Sequence, residues 1–169
     1  EGEGRESRAE FADREFVQWL AGEMKPRKGG AWGGREVSAP HNQTYEVAIA
    51  TLALAEAASS GNKAAVELCR RCLEWILAAQ LTERRPAAWK PVARTNPYHG
   101  GWRYESSQET SDLSVTGWGL VALAAADAAG VEAPGMREAV DDALAMVGRC
   151  AGKGGFFYEP RTSPTNDIR

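Results

Sequence analysis

The sequence predicts an all-α chain, a segment of an α/α toroid built from two-layer helical repeats. Three observations predict it. Helices that are apolar on nearly every side alternate with helices that keep one polar face. Glycine turns carrying aromatics recur at Gly29–Gly34, Gly100–Tyr104 and Gly154–Tyr158. A shift of about 69 residues lays Leu52-Ala53-Leu54-Ala55 on Val121-Ala122-Leu123-Ala124 and Gly61 on Gly130.

Taken in order, residues 1–9 are charged, glycine-bearing and expected to fray. Residues 10–169 are expected to form one repeat domain. Ala12, Phe16, Trp19 and Leu20 recur at helical spacing between Glu10 and Glu23, and Pro26, Gly29 and Gly30 end that amphipathic helix. Gly29–Gly34 has no Gly-Lys-Ser/Thr ending, so it reads as a structural turn rather than a phosphate loop. A polar loop with Pro40, His41 and Asn42 leads into a helix over Thr44–Ala58 whose only charges are Glu46 and Glu56. Gly61 closes it.

Lys63 to Leu81 is amphipathic, with Val66, Cys69, Leu73, Ile76 and Gln80 along one stripe and Arg70, Arg71 and Glu74 facing away. Thr82–His99, punctuated by Pro86, Pro91 and Pro97, reads as an exposed loop. A second apolar helix follows over Asp112–Ala129, with Asp112 as its N-cap. Gly130 and Pro134 mark its exit, and Met136–Val147 is again amphipathic. Two and a half helix pairs leave the ends of an arc uncovered, so a portion of a longer toroid is expected.

Composition narrows the functions. The net charge of -3 is mild and no basic stripe occurs, which argues against nucleic-acid binding. No charge-free apolar run reaches about 18 residues, so no transmembrane segment is expected. Three cysteines make no disulfide framework. Cys69 and Cys72 spell CxxC, but inside a helix and without a second pair they read as small core residues.

The pairing of Gly100-Gly101-Trp102-Arg103-Tyr104 with Asp112-Leu113-Ser114-Val115-Thr116-Gly117-Trp118, preceded by Thr51-Leu52-Ala53-Leu54-Ala55-Glu56-Ala57, resembles the squalene cyclase and prenyltransferase repeat proteins over residues 40–160. The resemblance implies an α/α toroid in which Gln80 and Trp102 staple adjacent repeats. It also supplies the chemistry to look for. A class II terpene cyclase protonates an alkene with an Asp-x-Asp-Asp motif. The matching stretch is Glu109-Thr110-Ser111-Asp112, with Ser111 at the donor position, so the motif is broken. A prenyltransferase holds zinc through Asp, Cys and His. Here His41 and His99 stand apart from any Cys, and no metal or other cofactor is expected. The Gly-Cys-Gly-Glu-Gln loop of complement-like thioester domains is missing, as is any Gly-x-Ser-x-Gly elbow.

What remains is a set of aromatics and acids around the helix starts. Tyr45, Trp102, Tyr104 and Trp118, with Phe157, are candidates to line a cavity, and Glu109 and Asp112 are the acids beside them. An apolar, aromatic-lined concavity suits an isoprenoid-like ligand or a protein partner. Repeat packing employs the same residue types. The expectation is therefore a non-catalytic scaffold binding an apolar ligand or partner. The alternative is part of a cyclase-like or prenyltransferase-like enzyme whose catalytic residues lie outside this stretch.

Overall fold

The computed structural model describes residues 43–161, together with Glu15, Val17 and Gln18. Those three positions are helical and Val17 is buried. The rest of the expected helix over 10–23, the turn at 29–34, the loop at 40–42 and the frayed stretch at 1–9 lie outside the described residues.

Among the described residues the chain is mostly helical. It runs through α1 (Gln43–Ser59), α2 (Lys63–Ala79), a short 3-10 helix (Ala87–Trp89), α3 (Leu113–Ala128) and α4 (Met136–Cys150). A hairpin of two-residue strands closes it, with β1 (Ala151–Gly152) antiparallel to β2 (Gly155–Phe156). The helices pair as α1 with α2 and α3 with α4, and the pairs meet mainly through α1 against α3. All four contribute to one core. The apolar helices are thus the ones packed against each other, while α2 and α4 each bury one face and give the other to water.

Local signals explain the helix ends. The Asn62 side chain accepts from Ala64 N–H at 3.1 Å and Ala65 N–H at 3.2 Å, capping α2. The Asp112 carboxylate accepts from Val115 N–H at 2.9 Å, capping α3 as its residue type predicts. The two apolar helices end alike. Gly61 and Gly130 are left-handed, and the following N–H reaches back, Asn62 to Ala57 O at 3.2 Å and Val131 to Ala126 O at 2.9 Å. They also begin alike. Thr44 N–H donates to Tyr104 O at 3.1 Å, and Leu113 N–H donates to Tyr158 O at 2.8 Å. The hydrogen bonds therefore repeat with the sequence.

Gln80 and Trp102 sit where the pairs meet, and both are fully buried. The Gln80 amide donates to Gly100 O at 2.8 Å and to Ala139 O of α4 at 2.7 Å. The Trp102 indole N–H donates to Ile76 O of α2 at 2.8 Å. Its ring lies on α3 at Gly119, where an added Cβ would fall 2.8 Å from Cε3 and 3.0 Å from Cδ2. Arg84 strengthens the same join through Asp142 at 2.9 Å and through Glu138. Arg84 is partly exposed, so solvent screening keeps that contribution small.

The stretch Thr82–His99 is largely exposed, as its prolines suggest, but four of its residues anchor it. Thr82, Arg85, Val92 and His99 are buried. The buried guanidinium of Arg85 is the reason. It donates to Ser106 O, and to Gln108 O and Lys90 O at 3.3 Å each, while its Nε has no partner, so the segment folds around a cation held by backbone carbonyls.

The Gly119 contact yields a paired prediction. Gly119→Ala forces a methyl into a ring that has no room to retreat and should cost about 1–3 kcal/mol. Gly117→Ala, two residues earlier, meets nothing within 4 Å. It should be neutral or stabilise by about 0.5–1 kcal/mol through helix propensity. Urea unfolding of the two variants checks both signs.

Candidate functional site

The starts of α1 and α3 and the two later glycine-aromatic turns converge on one cluster. Tyr45 of α1 lies 5.6 Å from Tyr104 and 6.0 Å from Trp118 of α3, ring centre to ring centre. Its hydroxyl is hydrogen-bonded to Ser114 Oγ at 2.5 Å. The Tyr104 and Tyr158 hydroxyls share a hydrogen bond of 2.7 Å. Three of the expected aromatics, Tyr45, Tyr104 and Trp118, are therefore brought together.

Trp102 is not among them. It is sealed in the join described above and wholly buried, because Gly119 opens a slot for its ring in the core. Phe157 is also elsewhere, packed on Gly152 with the Arg161 guanidinium over its ring at 5.2 Å. Glu109 is exposed and pairs with Lys90, whose hydrogen bond and charge hold its carboxyl below the usual range.

Asp112 is fully buried beside the cluster. One carboxylate oxygen caps α3, and the other faces the Arg103 guanidinium at 3.2 Å. Arg103 also binds Glu159 at 2.7 Å. Burial pushes the Asp112 carboxyl above its ordinary range, against the opposing pull of the Val115 N–H and Arg103. Burial opposes the charge on Arg103 as well, but Glu159 and Asp112 outweigh it and hold the guanidinium above its usual value. The Tyr158 phenol is pushed up, first by its hydrogen bond to Tyr104 and then by burial. Ser111, at the position a cyclase would give its proton donor, is buried and donates to Tyr98 O at 3.0 Å.

From the cluster an apolar strip runs along both core helices. Ile49 and Leu52 follow Tyr45 by one and two turns on α1, and Val121 follows Ser114 by two turns on α3. The Tyr45–Ser114 bond brings the starts of these two faces together. Ile49 is 49% exposed, Leu52 39% and Val121 47%. The sequence reading missed this strip and Tyr158. Tyr158 was in view as the counterpart of Tyr104, fifth in Gly-Gly-Phe-Phe-Tyr as Tyr104 is in Gly-Gly-Trp-Arg-Tyr.

Other candidate chemistry is unsupported. Cys69 and Cys72 are buried in the core, and burial pushes their thiols up to about 11 and about 12, away from reactive thiolate. Among the described residues no cluster of three His, Cys, Asp or Glu side chains is placed to hold a metal ion. No described helix is long and apolar enough to cross a membrane. Compared with protein-family models, curated proteins and solved structures, the chain has no match.

Asp112 gives the second prediction. Its folded pKa lies above the unfolded value, so its ionisation opposes folding. The stability present below the ordinary aspartate range is lost as pH rises through the folded pKa. Asparagine keeps the cap without the charge. Asp112→Asn should match or exceed the parent's stability at pH 7, with the gap closing as pH falls toward 4. Asp112→Ala should lose about 1 kcal/mol with the cap. Equal losses for both variants at pH 7 would show that the Arg103 ion pair outweighs the burial cost.

Proposed function

We propose that this chain is an arc of a two-layer α/α toroid of the squalene cyclase and prenyltransferase repeat kind, with α1 and α3 inside and α2 and α4 outside. In this reading it is a non-catalytic scaffold that holds an apolar, isoprenoid-like ligand or the apolar segment of a protein partner along its inner face. One observation carries it. Ile49, Leu52 and Val121 are exposed apolar residues at helical spacing from Tyr45 and Ser114, on the two adjoining helices that start at the Tyr45–Tyr104–Trp118 cluster. Large side chains left in water along two adjoining core helices favour an apolar occupant. The hydroxyls of Tyr45, Tyr104 and Tyr158 give the strip a polar end, which suits a chain with a polar head.

The alternative, part of a cyclase-like or prenyltransferase-like enzyme, draws support from a buried carboxyl with a raised pKa at the start of an inner helix. That carboxyl is occupied. One oxygen caps α3 and the other lies beside a guanidinium, both pulling against the raising effect of burial, and the partner acids of the Asp-x-Asp-Asp motif are missing. The scaffold reading is the better supported one.

Farnesol serves as the probe, followed by quenching of tryptophan fluorescence with Trp118→Phe as the reporter control. Saturable binding is expected, weakened about tenfold, or ~1.4 kcal/mol, by either Leu52→Glu or Val121→Glu with the melting temperature unchanged. Binding indifferent to both substitutions, or none at all, would remove the ligand reading.

A further inference from the structure

The polar end of the ligand site is built around one guanidinium and two carboxylates. Arg103 Nη1 lies 2.7 Å from Glu159 Oε1 and 3.2 Å from Asp112 Oδ2. The Asp112 side chain is fully buried, Arg103 is mostly buried and Glu159 is half-exposed. The guanidinium also lies over the Tyr104 ring, 5.6 Å from its centre. Its charge is thus answered from two sides before any ligand arrives. An anionic head could reach it only by drawing it away from a carboxylate, and a buried carboxylate stripped of its partner is strongly destabilising. With both acids ionised the trio carries excess negative charge, and with Asp112 protonated it is neutral. In neither state does it attract an anion. The field reaches the hydroxyls too, since the Tyr158 phenol is pushed up by its hydrogen bond to Tyr104, by burial and then by the charge of Asp112. A second guanidinium held at this turn, Arg85, is buried on the carbonyls of Ser106, Gln108 and Lys90.

The hydroxyls say what does fit. Tyr45 and Ser114 join α1 to α3 through a hydrogen bond of 2.5 Å in which either oxygen can be the donor. Whichever donates, the accepting hydroxyl keeps its own hydrogen, and both oxygens keep lone pairs. Ser114 is exposed and Tyr45 half-buried, so this pair is within reach of a ligand. Its complement is a group that both donates and accepts. An alcohol does both, whereas an ionised carboxylate or phosphate only accepts and an ammonium only donates.

We infer that the polar end selects an uncharged hydroxyl head, so that the ligand class is an apolar alcohol rather than the corresponding acid, phosphate or amine. The inference rests on the ligand reading above and adds the head group to it.

Three probes of one chain length test it: farnesol, farnesoic acid and farnesylamine, each titrated into the full 169-residue chain by tryptophan quenching at about pH 8, where the acid is ionised and the amine charged. Farnesol is expected to bind more tightly than the acid by about tenfold or more. Glu159→Gln removes one of the repelling charges and should narrow that ratio by about threefold, as should raising the salt, while Glu159→Asp keeps the charge and the ratio. A merely structural role for Glu159 would weaken both probes together and leave the ratio alone. Circular dichroism of each variant verifies folding. Farnesol failing to bind would remove the ligand reading and this inference with it. Farnesol binding while the acid binds equally well or better would overturn the head assignment alone. So would an amine bound about tenfold more tightly than farnesol, which would give the site to a cationic head. A ratio indifferent to both Glu159→Gln and salt would also overturn it.

Discussion

The fold depends on one join, in which Gln80 and Trp102 bridge the two helix pairs. Neither side chain suits a dry interior unless its polar groups are matched, because an unpaired buried donor costs about 1–3 kcal/mol. Here each donor has a carbonyl. The Gln80 amide spans Gly100 and Ala139, and the indole N–H finds Ile76 O at the last turn of α2. The same bonds set the position of the turn at Gly100–Trp102, which sets where Tyr104 emerges and where its carbonyl meets the start of α1. Local geometry at one join thus places the aromatic cluster.

That cluster is the second consequence. The apolar helices begin at equivalent turns, so their first residues converge, and tyrosines from two successive turns lie close enough to hydrogen-bond to each other. The interior acid, Asp112, caps α3 with one oxygen and sets the other 3.2 Å from Arg103 without a hydrogen bond. Chemistry of the alkene-protonating kind needs a carboxyl free to give up its proton, and this one is tied down by its neighbours. A long exposed apolar strip beside an occupied acid favours holding a molecule over transforming one.

Much of this was legible in the sequence. Helical period and small residues predicted α1 and α3 to within a residue or two, and Asn62, Asp112, Gly61 and Gly130 marked ends that depend only on neighbouring residues. Three features were not legible, for the same reason. Trp102 reads both as a staple beside Gln80 and as a cavity aromatic, because the slot that decides between them is made by Gly119, seventeen residues away and on another element. The anchoring of the Thr82–His99 loop was hidden because Arg85 is held by carbonyls beyond it, at Ser106 and Gln108. The strip of Ile49, Leu52 and Val121 was hidden in helices apolar on all sides, where only packing decides which side stays open. Long-range partners, rather than local propensity, settle such positions.

The central claim is that these helices form a repeat in which α3 covers the first pair and nothing equivalent among the described residues covers the second. Native-state amide hydrogen exchange tests it most directly, since protection follows how well each helix is packed. The account predicts slower exchange in α2, which packs on α1 and also meets α3, than in α4, whose helix–helix packing is chiefly with α3. Protection of α4 equal to that of α2 in the isolated chain would contradict the open edge and the repeat reading with it.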